Sequence, residues 1–203
     1  VIIKIIHKKR SWIKMETKQK VYEKLDAMGI KYEIINHPAV YTIEEMDNLG
    51  ITTKADICKN LFVRDAKGKK HYLIVLCKEK RADLSNLASQ IGSTKLSFAS
   101  DQRLDKYLGL KKGAVSPLGI INDTAKEVEV VFDKDLVGRE NLGVHPNDNT
   151  ATVVLSYEDL KRIVAENGNR ILHVNIECYI YNSYLLDMVK PRVFIAYFIL
   201  SEK

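Results

Sequence analysis

The chain has 203 residues, 46% hydrophobic and 29% charged, a balance that fits a soluble globular domain and excludes a wholly disordered polypeptide. No uncharged apolar run approaches the ~18–20 residues that a membrane-spanning helix needs. The formal net charge of +6 is uneven: residues 1–14 hold five bases and no acid, residues 177–203 balance three acids against three bases, and the stretch between keeps only +1, which makes the basic total weak ground for inferring nucleic acid.

Residues 1–14 read as a basic extension, with Met15 as the natural start of the run METKQKVYEKLDAMGI. Val21, Leu25 and Met28 recur there at helical spacing, and Gly29 is the expected stop. Residues 30–36 (IKYEIIN) read as a strand that His37-Pro38 breaks. Thr42-Ile43-Glu44-Glu45 is a capping-box pattern opening a short helix that closes near Gly50. Apolar runs at 56–65 and 71–77, joined by Ala66-Lys67-Gly68-Lys69-Lys70, carry a hairpin signature. Helices are expected at 83–91 and 100–108, then strands at 114–121, 128–132, 142–145 and 151–155. Ser156 caps a last helix ending at Asn167-Gly168, and 170–175 is a final strand. Consecutive strands with short turns, and helices gathered elsewhere, favour one α/β (α+β-like) domain over 15–176, with a single mixed, largely antiparallel sheet flanked by helices. Residues 177–203 form an aromatic-rich tail with no assigned role.

Three cysteines, Cys58, Cys77 and Cys178, are odd in number and form no CxxC pair, which points to a reducing, cytoplasmic setting without a disulfide framework. Cys58 beside Lys59 could be an activated thiol, although packing is the plainer reading, and Cys77 reads as core. The histidines are scattered without metal-ligand spacing, so neither a metal nor an organic cofactor is indicated. Lys59 sits in an otherwise apolar strand, where a lysine must snorkel, pair or face a pocket. Gly113-Ala114-Val115-Ser116-Pro117-Leu118-Gly119 suits a backbone that approaches a ligand closely, or merely turns. His145-Pro146-Asn147-Asp148-Asn149-Thr150 is a polar turn between two apolar strands, read either as a binding loop or as a hairpin. The absence of GxxxxGK[ST], GxGxxG and GxSxG motifs removes the entry points for nucleotide hydrolysis, dinucleotide binding and serine-esterase chemistry. Lysine and arginine clusters at 67–70, 78–81 and 103–112 could touch phosphates or simply face solvent.

Together, Asp56–Val63, Lys111–Gly119 and Gly143–Thr152 resemble the three signature stretches of the YbaK/prolyl-tRNA-synthetase editing-domain superfamily, in order and approximate spacing. The K-N-L-F form at Lys59 and the H-P-N-x-N-T form at His145 are most similar to free-standing prolyl-tRNA editing proteins of the ProX type. The resemblance implies a YbaK-like fold over roughly 15–176 and a trans-editing hydrolase that cleaves alanine from mischarged alanyl-tRNA(Pro). Its implied partner is the alanine-bearing acceptor end of tRNA(Pro), with room for transient contact with a synthetase or a translation factor, and no membrane. It implies catalytic roles for Lys59, Gly113 and His145, and substrate-binding roles for Asn60, Ala114, Val115, Ser116, Pro117, Gly119, Asn147 and Asn149. Lysine would orient the terminal adenosine's phosphate, the glycine-to-proline loop would place carbonyl and water, and a ribose hydroxyl would assist. Alternatives are a related deacylase with another cargo, such as cysteinyl-tRNA, a non-catalytic aminoacyl-tRNA or amino-acid sensor, or a plain interaction module.

Overall fold

A computed structural model describes residues 17–177. The expected first helix is present as α1 over residues 17–27, burying Val21 and Leu25, and Gly29 follows in the left-handed region at φ 64°. Residues 1–16 and 178–203 lie outside the described residues, and with them the basic extension and all but the first residue of the tail.

The elements follow as β1 (Glu33–Asn36), α2 (Ile43–Asn48), β2 (Asp56–Arg64), β3 (His71–Cys77), α3 (Leu84–Gln90), β4 (Ser97–Phe98), α4 (Asp101–Leu108), β5 (Val128–Asp133), β6 (Leu142–Val144), β7 (Ala151–Leu155), α5 (Tyr157–Asn167) and β8 (Ile171–Val174). They build one eight-stranded sheet in the order β1-β7-β6-β2-β3-β5-β8, with β4 paired to β2. Four of the pairings are antiparallel and three parallel, so the sheet is mixed and mostly antiparallel.

Local chemistry explains most boundaries. Thr42 forms both halves of its capping box with Glu45. Asp65 closes the β2–β3 turn by accepting from the amides of Lys69 at 2.7 Å and Lys70 at 3.2 Å. Ser100 and Ser156 cap α4 and α5 through their hydroxyls, and glycines in the left-handed region, Gly109 and Gly168, end both helices. β3 is buried along its whole length. Its alternate residues divide between two cores: Leu73 and Val75 pack with Leu25, Phe62, Phe132 and Leu160, while Tyr72, Ile74 and Leu76 pack with Val63, Leu87 and Val131.

One expected strand is absent. Residues 114–121 form an irregular turn followed by a 3-10 helix, Pro117–Asn122. The Ser116 hydroxyl accepts from the Leu118 amide, and Pro117 supplies a preset φ at the first helical position, so local bonding outweighs the strand preference of Val115, Ile120 and Ile121. β4, only two residues long, was not expected.

Candidate active site

β2 is shared by two halves of the sheet. It pairs with β6 only at Asp56 and Ile57 and with β4 only at Val63 and Arg64. Between these points its outer edge separates from β6, and a cavity of about 240 Å³ occupies the gap. Its walls come from Val40–Ile43 and Met46, from Ile57–Leu61, from Gly113 and Val115, and from Gly143–His145 with Thr152.

Lys59 is half-buried on this wall, and its ammonium donates to the Lys80 carbonyl at 3.1 Å. That carbonyl is itself held in place. Lys80 is 5% exposed, and its ammonium lies 2.8 Å from Asp133, which is fully buried, and 2.6 Å from Asp135. Burial alone would lower the Lys80 pKa, but its bonds to Asp133 and Asp135 outweigh burial and raise it.

The glycine-rich turn approaches from the opposite side. Gly113 takes φ 86°, and a Cβ there would stand 2.7 Å from Cδ1 of Tyr41, so only glycine fits beneath that ring. The Ala114 amide donates to the Lys111 carbonyl. Among the described residues the amides of Gly113 and Val115 have no protein acceptor, and both residues line the cavity. Asn60 ties turn to strand, its Nδ2 donating to the Val115 carbonyl at 3.1 Å, while its Oδ1 is buried without a partner.

His145 sits half-buried at the end of β6. Its Nδ1 faces the Ala151 carbonyl at 2.9 Å; a carbonyl only accepts, so Nδ1 carries the proton and the neutral ring's Nε2 keeps a lone pair. Burial lowers the His145 pKa, opposed by the Ala151 bond and reinforced by His37, whose ring centroid is 6.0 Å away. By the same logic His37 donates from Nδ1 to the Pro38 carbonyl, and its Nε2 accepts from the Thr152 hydroxyl at 3.0 Å. The cavity thus gathers a lysine, a histidine whose pKa burial lowers and two residues with unengaged backbone amides, the components of water-mediated acyl transfer without a nucleophilic side chain.

Of the residues expected from sequence, the structure brings Lys59, Asn60, Gly113, Val115 and His145 to the cavity. Ala114, Ser116, Pro117, Gly119, Asn147 and Asn149 are not on its wall. Ser116 is fully buried and donates to the His145 carbonyl, joining the two loops. Pro117 is buried at the start of the 3-10 helix, and a Cβ on Gly119 would lie 2.6 Å from Leu110 Cδ1, so its role is close packing. Asn147, at φ 60°, donates to the Leu118 carbonyl at 3.2 Å, and Asn149 donates to the Val40 carbonyl at 3.0 Å. These five hold the wall from behind. Cys58 contributes to the wall but is a buried thiol that burial pushes well above its ordinary pKa, a poor nucleophile; Cys77 lies opposite it on β3, also buried. The sequence reading missed Tyr41, Thr42, Ile43 and Met46, a wall on which only the capping box left a trace, and His37, whose place depends on β7.

Among the described residues no cluster of three His, Cys, Asp or Glu side chains is placed to hold a metal ion, and no helix is long and apolar enough to cross a membrane. The aminoacyl-tRNA editing domain family matches residues 37–163. The chain is 61% identical over 155 residues to the prolyl-tRNA editing protein ProX of Acetoanaerobium sticklandii, covering 76% of this chain and 94% of that one. It is 33% identical over 106 residues to the multifunctional Ser/Thr-tRNA deacylase ProXp-y of Escherichia coli, covering 50% and 62%. A solved structure described as a candidate trans-editing enzyme for prolyl-tRNA synthetase superposes with a TM-score of 0.62 over 79% of this chain and 96% of that one; at 20% identity the likeness concerns the fold alone.

Proposed function

The chain belongs to the aminoacyl-tRNA editing domain family and is an aminoacyl-tRNA deacylase, and from that premise we propose that it acts in trans on tRNA(Pro) mischarged with alanine. The observation that carries this reading is the convergence of Lys59 and the unengaged amides of Gly113 and Val115 on one cavity. An aminoacyl ester is already activated, so a positioned water and stabilisation of the oxyanion suffice, and a single such donor is typically worth ~2.7–4 kcal/mol.

In the proposed reaction Lys59 leaves the Lys80 carbonyl and holds the phosphate of the terminal adenosine. The 113–115 turn receives the ester carbonyl. Water attacks the carbonyl carbon, with its proton passing toward the neighbouring ribose hydroxyl or the His145 Nε2 lone pair. The carbon–oxygen bond to ribose then breaks, the ribose oxygen is protonated, and free alanine leaves. Ile43, Met46, Ile57 and Val144 line the cavity with apolar surface; in the proposed reading selectivity is steric, the cavity admitting the methyl of alanine and excluding the ring of proline.

Deacylation of a panel of labelled aminoacyl-tRNAs tests this reading: alanyl-, prolyl- and cysteinyl-tRNA(Pro), alanyl-tRNA(Ala), and seryl- and threonyl-tRNA, the last two because of the relative in Escherichia coli. Selective loss of alanine from tRNA(Pro) is the expected result. Preferential turnover of cysteinyl, seryl or threonyl ester would keep the chemistry and replace the cargo. Binding without turnover of any member would replace catalysis with sensing.

A further inference from the structure

A second concave surface lies at the other end of β2, outside the cavity. Arg64, Lys67, Gly68, Phe98, Ser100 and Arg103 line an open groove of about 440 Å³. The Arg64 guanidinium donates to the carbonyls of Asp65 and Ala66 at 2.9 and 3.1 Å. Arg103 donates to the Gly68 carbonyl at 3.0 Å and meets His71 Nε2 at 2.8 Å. Both guanidinium groups are thus oriented by neutral acceptors. Among the described residues no carboxylate pairs with Arg64, Lys67 or Arg103; Asp65 is turned inward onto the amides of Lys69 and Lys70. The Arg103 guanidinium rests directly against Gly68, where a Cβ would stand 2.8 Å from its Nη2. Phe98 is 64% exposed beside these cations.

Unneutralised, pre-oriented cations around an exposed aromatic ring match the chemistry of a nucleic-acid strand, whose phosphates take the cations and whose bases stack on the ring. Arg64 lies five strand steps from Lys59, about 17 Å along β2 at strand rise and on its alternate face, within reach of a strand a few nucleotides long. Resting on the deacylase reading of the cavity, we propose that this groove holds the RNA strand of the substrate several nucleotides from its esterified end. Arg64, Lys67 and Arg103 meet phosphates, and a base lies on Phe98. A middle domain of charge +1 thereby binds RNA through a local concentration of charge.

The test is binding of uncharged tRNA(Pro) to the full chain between 50 and 200 mM salt. Wild type is compared with Arg64→Gln/Lys67→Gln and with Phe98→Ala, the fold of each being monitored by thermal unfolding. The double variant is expected to bind at least tenfold more weakly, with a log–log salt slope shallower by about 1.5; Phe98→Ala should bind about fivefold or more weakly with its slope unchanged. With alanyl-tRNA(Pro) the losses should fall on KM rather than kcat, and exceed those on alanyl-adenosine, a substrate too short to reach the groove, at least tenfold. Wild-type affinity and slope in the double variant would overturn the proposal, as would equal losses on long and short substrates. Because tRNA binding is read directly, failure of the deacylase reading would appear separately, as no ester turnover by the wild type.

Discussion

Replacing Lys59 with methionine separates chemistry from folding. The substitution keeps the length of the side chain, leaves the pairing of residue 59 with Leu76 intact, and removes one hydrogen bond, to the Lys80 carbonyl. Lys59 is only half-buried, so water can replace its ammonium at that carbonyl, and the stability loss should be about 1 kcal/mol or less. For a domain of this size that corresponds to roughly 2–4 °C in Tm. Activity should fall more: loss of the charge-assisted contact that holds the terminal phosphate is worth about 1.5–3 kcal/mol, or roughly 10–10² in kcat/KM. Single-turnover hydrolysis of alanyl-tRNA(Pro), read beside a thermal melt, gives both quantities. Lys59→Arg should recover part of the rate, since it restores charge with a different donor geometry. Hydrolysis by the methionine variant within threefold of wild type would refute the assignment; a fall in Tm beyond about 10 °C would make Lys59 a scaffold residue.

Two further expectations concern buried ionisable groups away from the cavity wall. Lys80→Met strands the fully buried Asp133 and should cost about 3–5 kcal/mol, whereas Lys80→Met/Asp133→Leu should recover most of it; equal destabilisation of single and double variants in urea titrations would contradict this. His71 is 1% exposed, lies against Phe62 and Tyr107, and is pushed down from 6.5 to about 4 by burial and by Arg103. The unfolded chain therefore takes up a proton that the fold refuses, and the associated stability, on the order of 3 kcal/mol, is complete above pH 6.5 and lost as pH falls toward 4. His71→Phe should flatten the urea midpoint over that interval, and an unchanged pH profile would exclude His71 as its source.

Elements governed by neighbouring residues were legible in the sequence. The Thr42 capping box, the Asp65–Lys70 turn and the serine-capped, glycine-ended helices α4 and α5 depend on bonds spanning a few residues, and periodicity located the strands between them. Residues 114–121 misled because their apolar content suits a strand, while the hydroxyl of Ser116 decides otherwise. Lys59, Gly113 and His145 stood out as residues at odds with their surroundings. Asn147 and Asn149 stood out equally, yet they serve the backbone. Polarity marks a donor in a sequence without saying whether a ligand or a carbonyl receives it. The wall formed by Tyr41 to Met46 depends on long-range approach to β2 and to the turn at Gly113, which no local pattern encodes.

The cavity draws its walls from positions between Val40 and Thr152, and β1 finds its partner more than a hundred residues later, with Glu33 opposite Val154. No shorter stretch of the chain contains a working fragment of the site. During synthesis, a ribosome-bound chain that has not yet released β7 lacks Thr152 and the Ala151 carbonyl that fixes the tautomer of His145. The wall residues become neighbours only when these long-range strand pairs close, the slow part of folding for such a topology. A half-made copy therefore has no assembled cavity to receive an ester.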